Sequence, residues 1–146
     1  MKRNLFYLLP LLLTLGVACS PKSDVTPIPQ PQGNFKGVFA AVVKKTGNAG
    51  YDTIRDTNFR VALTASSRFV VQAETPHHVA SFGAFAYNGI YIQFADSSTL
   101  ASGNGAKFHL KGVYQYGYDG NNFQLLRRND TGTSDTIAVQ YALKKY

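Results

Sequence analysis

The chain has 146 residues, a formal net charge of +7, one cysteine and no tryptophan. This length provides one domain with a single core. The basic residues are scattered, with only short doublets at Lys44-Lys45, Arg127-Arg128 and Lys144-Lys145, whereas nucleic-acid binding requires a clustered stripe. We therefore expect no nucleic-acid partner. A scattered basic surface keeps a domain soluble, or it contacts anionic lipid headgroups or envelope polysaccharide.

The first nineteen residues have the pattern of an export signal. Lys2 and Arg3 precede an uncharged, Leu-rich run over residues 5–18, and Cys19 follows directly. The run is shorter than the roughly 20 residues that a membrane-spanning helix needs, and Pro10 interrupts it. A cationic start, a short apolar stretch and small residues before a cleavage point are typical of a secretory signal peptide.

The segment Leu15-Gly16-Val17-Ala18-Cys19 resembles the lipobox of bacterial lipoproteins, with Gly16 where that motif usually has Leu. The resemblance implies that residues 1–18 are removed and that Cys19 is acylated as the new N-terminus. The protein would then be anchored to the outer or inner membrane of the cell envelope, with its domain in the periplasm or at the cell surface. The alternative is a secreted protein with a free thiol, but a lone unpaired cysteine is unusual in an exported chain.

Residues 19–32 are predicted to be a spacer between the lipid and the domain. Four of the six prolines fall in this segment, which favours an extended and semi-rigid conformation. The domain itself is predicted over residues 33–146. Since it contains no cysteine, burial alone must stabilise it.

Between Gly33 and Tyr146, alternation with period two is interrupted by turn residues about every ten positions, which is typical of a β-sandwich or a β-barrel. Eight strands are predicted, the fourth over Val79–Tyr87, the fifth over Ile90–Ala95 and the seventh over Phe123–Asn129. The Asn88-Gly89 pair predicts a type I′ hairpin turn, in which both central residues have positive φ. Alternation also predicts which residues of the first, second, third, fifth, sixth and eighth strands face the core. They are Phe35, Gly37, Phe39, Ala41, Val43, Phe59, Val61, Leu63, Phe69, Val71, Ala73, Ile90, Ile92, Phe94, Phe108, Leu110, Tyr114, Tyr116, Tyr118, Ile137, Val139, Tyr141 and Leu143.

Eight consecutive strands with short connections favour an all-β, antiparallel, up-and-down barrel, with a β-sandwich as the alternative. The opening Gly33-Asn34-Phe35 is similar to the Gly-x-Trp motif of the first lipocalin strand. The domain therefore resembles the lipocalins and their calycin relatives. The resemblance implies that Phe35 closes one end of the barrel, with Arg127, Arg128 or Lys144 packed over its ring.

Three histidines, His77, His78 and His109, are the candidate metal ligands. Neighbouring residues of a strand point to opposite faces, so His77 and His78 can ligate together only if Pro76 places them in a turn. No cysteine and no carboxylate stands at ligand spacing, and we predict neither a metal nor another cofactor. The sequence also lacks the nucleophile elbow, phosphate loop and zinc-protease motifs, so we predict no catalytic residues and no enzyme activity.

Two functions are compatible with this sequence. The first is the binding or carriage of a small apolar ligand inside the barrel. The second is a non-enzymatic interaction or structural role in the envelope, as an inhibitor or assembly factor, with a filled core. Interior volume distinguishes them, since ligand cavities begin at about 300 Å³. The lipocalin resemblance gives as candidate cavity walls Phe39, Phe59, Phe69, Phe85, Phe94, Phe108, Tyr114, Tyr116 and Tyr141.

Overall fold

The computed structural model describes residues 29–45, 47, 50–72, 74–98, 107–129 and 134–146. The predicted signal peptide, Cys19 and most of the spacer lie outside these residues. Within the described part no helix is long and apolar enough to cross a bilayer. The strands are β1 (Gly33–Lys44), β2 (Tyr51–Leu63), β3 (Arg68–Val71), β4 (Phe82–Tyr87), β5 (Tyr91–Asp96), β6 (Gly112–Tyr118), β7 (Asn122–Arg128) and β8 (Thr136–Lys145).

Each strand pairs antiparallel with the next, and β8 pairs with β1 to close the sheet. The predicted up-and-down barrel is confirmed, and the sandwich alternative is wrong. Side chains along each strand alternate between the interior of the barrel and its outer surface. Phe35, Phe59 and Phe69 point inward and are fully buried, whereas Lys36 and Arg60 point outward and are exposed.

The β4–β5 hairpin forms as predicted, but its turn is not type I′. Gly89 has a φ of 91°, and Asn88 is not among the residues with positive φ. The Asn88 side-chain oxygen accepts hydrogen bonds from the backbone N–H groups of Ile90 and Tyr91, at 3.2 and 2.9 Å. Ile90 therefore stands at the tip of the turn, 58% exposed, and its predicted core position is wrong.

The predicted sixth strand is too long at its start. β6 begins at Gly112, and Phe108 forms only an isolated bridge with His78 before it. Phe108 is partly buried and Leu110 is fully buried, so both still pack against the core. The predicted third strand is too long at its end, because β3 ends at Val71. Ala73, which was predicted to face the core, lies outside the described residues.

The two ends of the barrel differ. Gly33 lies opposite Leu63 where the spacer joins the barrel, and we call this the spacer end. Phe35 fills this end, with its ring 5.7 Å from Tyr118 and 5.2 Å from Phe123. Short turns join β2–β3, β4–β5 and β6–β7 here, whereas the longer connections lie at the opposite, far end.

Candidate functional site

The interior of the barrel is filled by aromatic rings. Of the nine candidate wall residues, seven are buried, and Phe108 and Tyr116 are partly buried. Tyr141 is central, with its ring 5.3 Å from Phe39, 4.9 Å from Phe59 and 5.7 Å from Tyr114. Phe94 continues the network, at 5.2 Å from Phe69, 6.1 Å from Phe85 and 6.0 Å from Tyr114. These side chains pack on one another, at spacings typical of edge-to-face and tilted aromatic pairs.

His78 lies in the middle of this aromatic core and is fully buried. Its ring is 4.7 Å from Phe59 and 5.2 Å from Phe39. Nδ1 donates to the carbonyl oxygen of Val79 at 2.8 Å, which leaves Nε2 as the acceptor for the Tyr141 hydroxyl at 3.0 Å. Burial lowers the pKa of His78 to about 4, so the ring is neutral at physiological pH.

A second buried hydroxyl and a guanidinium extend this polar chain. The Tyr114 hydroxyl donates to the Lys111 carbonyl oxygen at 3.2 Å, and Nη1 of Arg127 donates to the same oxygen at 2.6 Å. Arg127 also lies over the Tyr114 ring, 5.1 Å from its centroid. The resemblance implied that Arg127, Arg128 or Lys144 packs over Phe35, but the ring neighbours of Phe35 are Tyr118 and Phe123. Burial raises the pKa of Tyr114 and of Tyr141, so both hydroxyl groups keep their protons and act as hydrogen-bond donors.

A β-bulge turns one carboxylate into the barrel. Between Gly37–Phe39 on β1 and Asp56–Phe59 on β2, one residue faces two, and this extra residue shifts the side-chain alternation. Asp56 is consequently buried. It accepts hydrogen bonds from the Thr75 hydroxyl and from the backbone N–H of His77 at 3.0 Å, and it pairs with Nδ1 of His77 at 2.8 Å. Burial raises its pKa, but these hydrogen bonds outweigh burial and hold the pKa below its usual value.

A second pair of an aspartate and a histidine, Asp96 and His109, lies at the far end of the barrel. Nδ1 of His109 is 2.7 Å from Oδ2 of Asp96, whose other oxygen accepts from Ser98. Burial raises the pKa of Asp96, but the hydrogen bonds from Ser98 and His109 outweigh burial and hold the pKa below its usual value. Among the residues that the structure describes, Nε2 of His109 and the Ser81 hydroxyl are buried and have no hydrogen-bond partner. Over the described ranges, no three His, Cys, Asp or Glu residues are grouped as metal ligands.

The three histidines have three separate environments. Pro76 does precede a bend, as the sequence suggested, but the bend directs His77 to the surface and His78 into the core. The Asp56 and Asp96 pairs are absent from the sequence prediction. Asp56 lies three positions from the inward Phe59, so strict alternation assigns it to the outer face. The partner of Asp96 is distant in sequence and on a segment that precedes β6.

The outer surface of β4, β5 and β6 carries no charged side chain. We call it the uncharged wall, and its outward residues are Phe82, Ala84, Ala86, Tyr91, Gln93, Ala95, Val113, Gln115 and Gly117. Tyr91 and Val113 separate two neighbouring surface depressions of about 330 and 400 Å³. The second depression extends to Leu126, Arg127 and Arg128 on β7.

No protein-family model, no curated protein and no solved structure matches this chain. The likeness to lipocalins is therefore one of architecture, eight antiparallel strands closed in sequential order. Such an architecture serves many functions, so function has to be argued from this chain's own surfaces and interior.

Proposed function

We propose that this protein is a lipid-anchored, non-enzymatic component of the cell envelope that binds a protein partner through the uncharged wall. The main support is that the exposed apolar side chains are concentrated on one side of the barrel. Five of the seven large hydrophobic side chains exposed in the described part lie on this wall or next to it, namely Val70, Phe82, Ile90, Tyr91 and Val113. Val70 lies directly opposite Phe82, so the apolar surface continues onto β3.

The wall shares two features with the centre of a protein interface, namely exposed aromatic rings and the absence of charged side chains. Such centres are enriched in aromatic residues and depleted in Lys, Glu and Asp. Phe82 and Tyr91 are half exposed, at 50% and 49%, and each offers a ring that a partner can bury. The small Ala84, Ala86 and Ala95 around them allow a partner's backbone to approach.

The filled interior favours this function over carriage of an apolar ligand. A ligand inside the barrel would have to displace rings that already contact each other, around Tyr141 and Phe94. Four depressions on the described part of the chain are lined largely by outward-facing residues, and neither Tyr141, Phe94 nor any ring in contact with them lines one. Binding on the outer wall requires no such rearrangement.

The anchor is proposed from the sequence. The cationic start, the apolar run and Cys19 in a lipobox-like context support acylation. Two acyl chains suffice for stable attachment, where one gives marginal binding. An extended spacer over residues 19–32 reaches about 40 Å, which lets the barrel contact partners in or near the same membrane.

The test is photo-crosslinking of the full chain in its native cells. A photoreactive phenylalanine at Tyr91 is expected to give one discrete crosslinked product in the membrane fraction. The matched control carries the same residue at Thr53, an exposed site on β2, and should not give that product. Because the proposed anchor is the acylated Cys19, a Cys19→Ser variant should lose this product from the membrane fraction. Equal products from Tyr91 and Thr53, or none from Tyr91, would show that the uncharged wall is not the binding surface.

A further inference from the structure

Three basic residues lie side by side on the outer surface, close to the spacer end. Lys36 on β1 stands directly opposite Arg60 on β2 and directly opposite Lys144 on β8. All three are exposed, and none forms an ion pair with an acidic residue in the described chain. Like charges directly opposite one another destabilise a sheet. Lys36 Nζ lies 5.3 Å from the centroid of the Tyr146 ring, but this contact does not explain why Arg60 and Lys144 stand beside Lys36.

The row belongs to a larger basic surface, the outer faces of β8, β1 and β2, which we call the basic wall. Arg55 lies further along β2, opposite Ala40, and adds a fourth cation. Between Arg55 and the row runs a shallow trough of about 270 Å³. Its lining includes small side chains, Val38, Ala40 and Ala142, so a flat surface can come close to the cations.

Acidic residues are nearly absent from this wall in the part of the chain that the structure describes. β1 and β8 contain none, and β2 contains Asp52 and Asp56. Asp56 is buried in the barrel, whereas Asp52 is exposed at the far-end start of β2, opposite Val43 and away from the basic row. Around the basic row and Arg55 the outward charges are therefore positive, whereas the uncharged wall lies on the opposite side of the barrel.

We propose that the basic wall binds the anionic phospholipid headgroups of the membrane that holds the lipid anchor. This inference rests on the proposed anchor, because the spacer joins the barrel at Gly33, next to the basic row. The charge is complementary to an anionic bilayer, and each basic residue near such a surface strengthens binding about fivefold. With the basic wall on the bilayer, the uncharged wall faces away from it and is open to a partner.

The test uses the chain from residue 19 onward with Cys19→Ser, so that no acyl chain contributes to binding. It is mixed with phosphatidylcholine vesicles that contain phosphatidylglycerol, and with vesicles of phosphatidylcholine alone, and floated. We expect binding to the anionic vesicles only, and loss of binding in about 0.5 M salt, where screening is nearly complete. The triple variant Lys36→Gln, Arg60→Gln, Lys144→Gln should bind on the order of a hundredfold more weakly.

The matched control is the triple variant Arg68→Gln, Lys111→Gln, Arg128→Gln. It removes the same charge from exposed positions outside the basic wall, and it should bind nearly as well as the unsubstituted chain. Melting temperatures verify that both variants fold, and in the first the relief of repulsion offsets the lost contact of Lys36 with the Tyr146 ring. Equal weakening by both triples would show an effect of net charge alone and overturn the proposal.

Two other outcomes also overturn it. The first is failure of the unsubstituted chain to bind anionic vesicles at low salt. The second is binding to a soluble acidic polysaccharide, with the same dependence on the basic row, but not to vesicles. Neither result bears on the uncharged wall, because this assay contains no partner. Conversely, crosslinking from Tyr91 can fail while vesicle binding succeeds, so the two proposals are tested separately.

Discussion

His78 is a polar ring held at the centre of an apolar core, and its hydrogen bonds fit only its neutral form. Nδ1–H donates to the Val79 carbonyl, and Nε2 accepts from the Tyr141 hydroxyl. A proton on Nε2 would face a hydroxyl that then needs another acceptor. Burial among Phe39, Phe59 and Tyr141 disfavours the charge as well.

The depressed pKa of His78 predicts a stability that falls on acidification. The unfolded chain takes up a proton near pH 6.5, whereas the folded protein does so only near pH 4. Between these values the unfolded state binds more protons, so the free energy of unfolding decreases as the pH falls through this window. The total loss is about 3 kcal/mol. Urea denaturation from pH 7 to pH 4 measures it.

Two variants separate the titration from the loss of a contact. His78→Gln should abolish most of this pH dependence, because the titrating group is gone. Tyr141→Phe removes the hydroxyl and costs about 1 kcal/mol, but it keeps the buried imidazole and therefore the slope. A steep slope that persists in His78→Gln would assign the effect to other groups.

At the scale of strands, two inward glycines allow neighbouring strands to approach closely. A Cβ at Gly83 on β4 would lie 1.9 Å from the Ala95 carbonyl oxygen and 2.8 Å from the ring of Phe69. A Cβ at Gly37 would lie 2.1 Å from the Ala142 carbonyl oxygen. Glycines at such positions let a sheet coil tightly enough to close into a small barrel.

We expect Gly83→Ala to destabilise the barrel by about 1–3 kcal/mol, because the methyl group meets backbone and a buried ring rather than a flexible side chain. Gly117→Ala is the matched control on β6, since no atom lies within 4 Å of its Cβ position. That variant should be neutral or slightly stabilising, as alanine restricts the unfolded chain. Thermal melts of both variants measure the difference, and similar losses in the two would argue against the close approach at Gly83.

The sequence predicts these strands well wherever a strand is regular. The alternation in Phe35, Phe59, Val61 and Tyr141 is a local property, and the structure confirms the inward positions of these residues. It fails at irregularities. The extra residue before Phe59 buries Asp56, and neither sequence neighbour of Asp56 indicates that Thr75 and His77 will bind it.

The candidate site is less predictable than the fold, and the reason is again physical. Alternation identifies inward rings such as Phe94 and Tyr114, but it does not give the distance across the barrel. That distance decides whether the rings line a cavity or touch, and it is set by how all eight strands close. The basic row has the same origin, because Lys36, Arg60 and Lys144 become neighbours only through the register of three strands.

At the scale of the whole molecule, the barrel has a dense interior and two unlike outer walls. Protein interiors are packed closely enough that the removal of one large side chain is costly, at about 3–5 kcal/mol for Phe→Ala. A ligand of 300 Å³ would need space equal to more than one such ring. We therefore expect the folded barrel to retain no apolar molecule in its core.

Native mass spectrometry of the chain from residue 19 onward with Cys19→Ser, exported behind a cleavable secretory signal peptide and purified from the periplasm, tests this expectation. The mass should be that of the protein alone before and after solvent extraction, and added fatty acids should not raise the melting temperature. A Phe94→Ala variant is the positive control, since it opens a cavity among Phe69, Phe85 and Tyr114 that benzene should fill and stabilise. A molecule that copurifies with the unsubstituted chain, and whose removal lowers the melting temperature, would instead favour a carrier. The rings around Tyr141 would then have to move apart in the loaded protein.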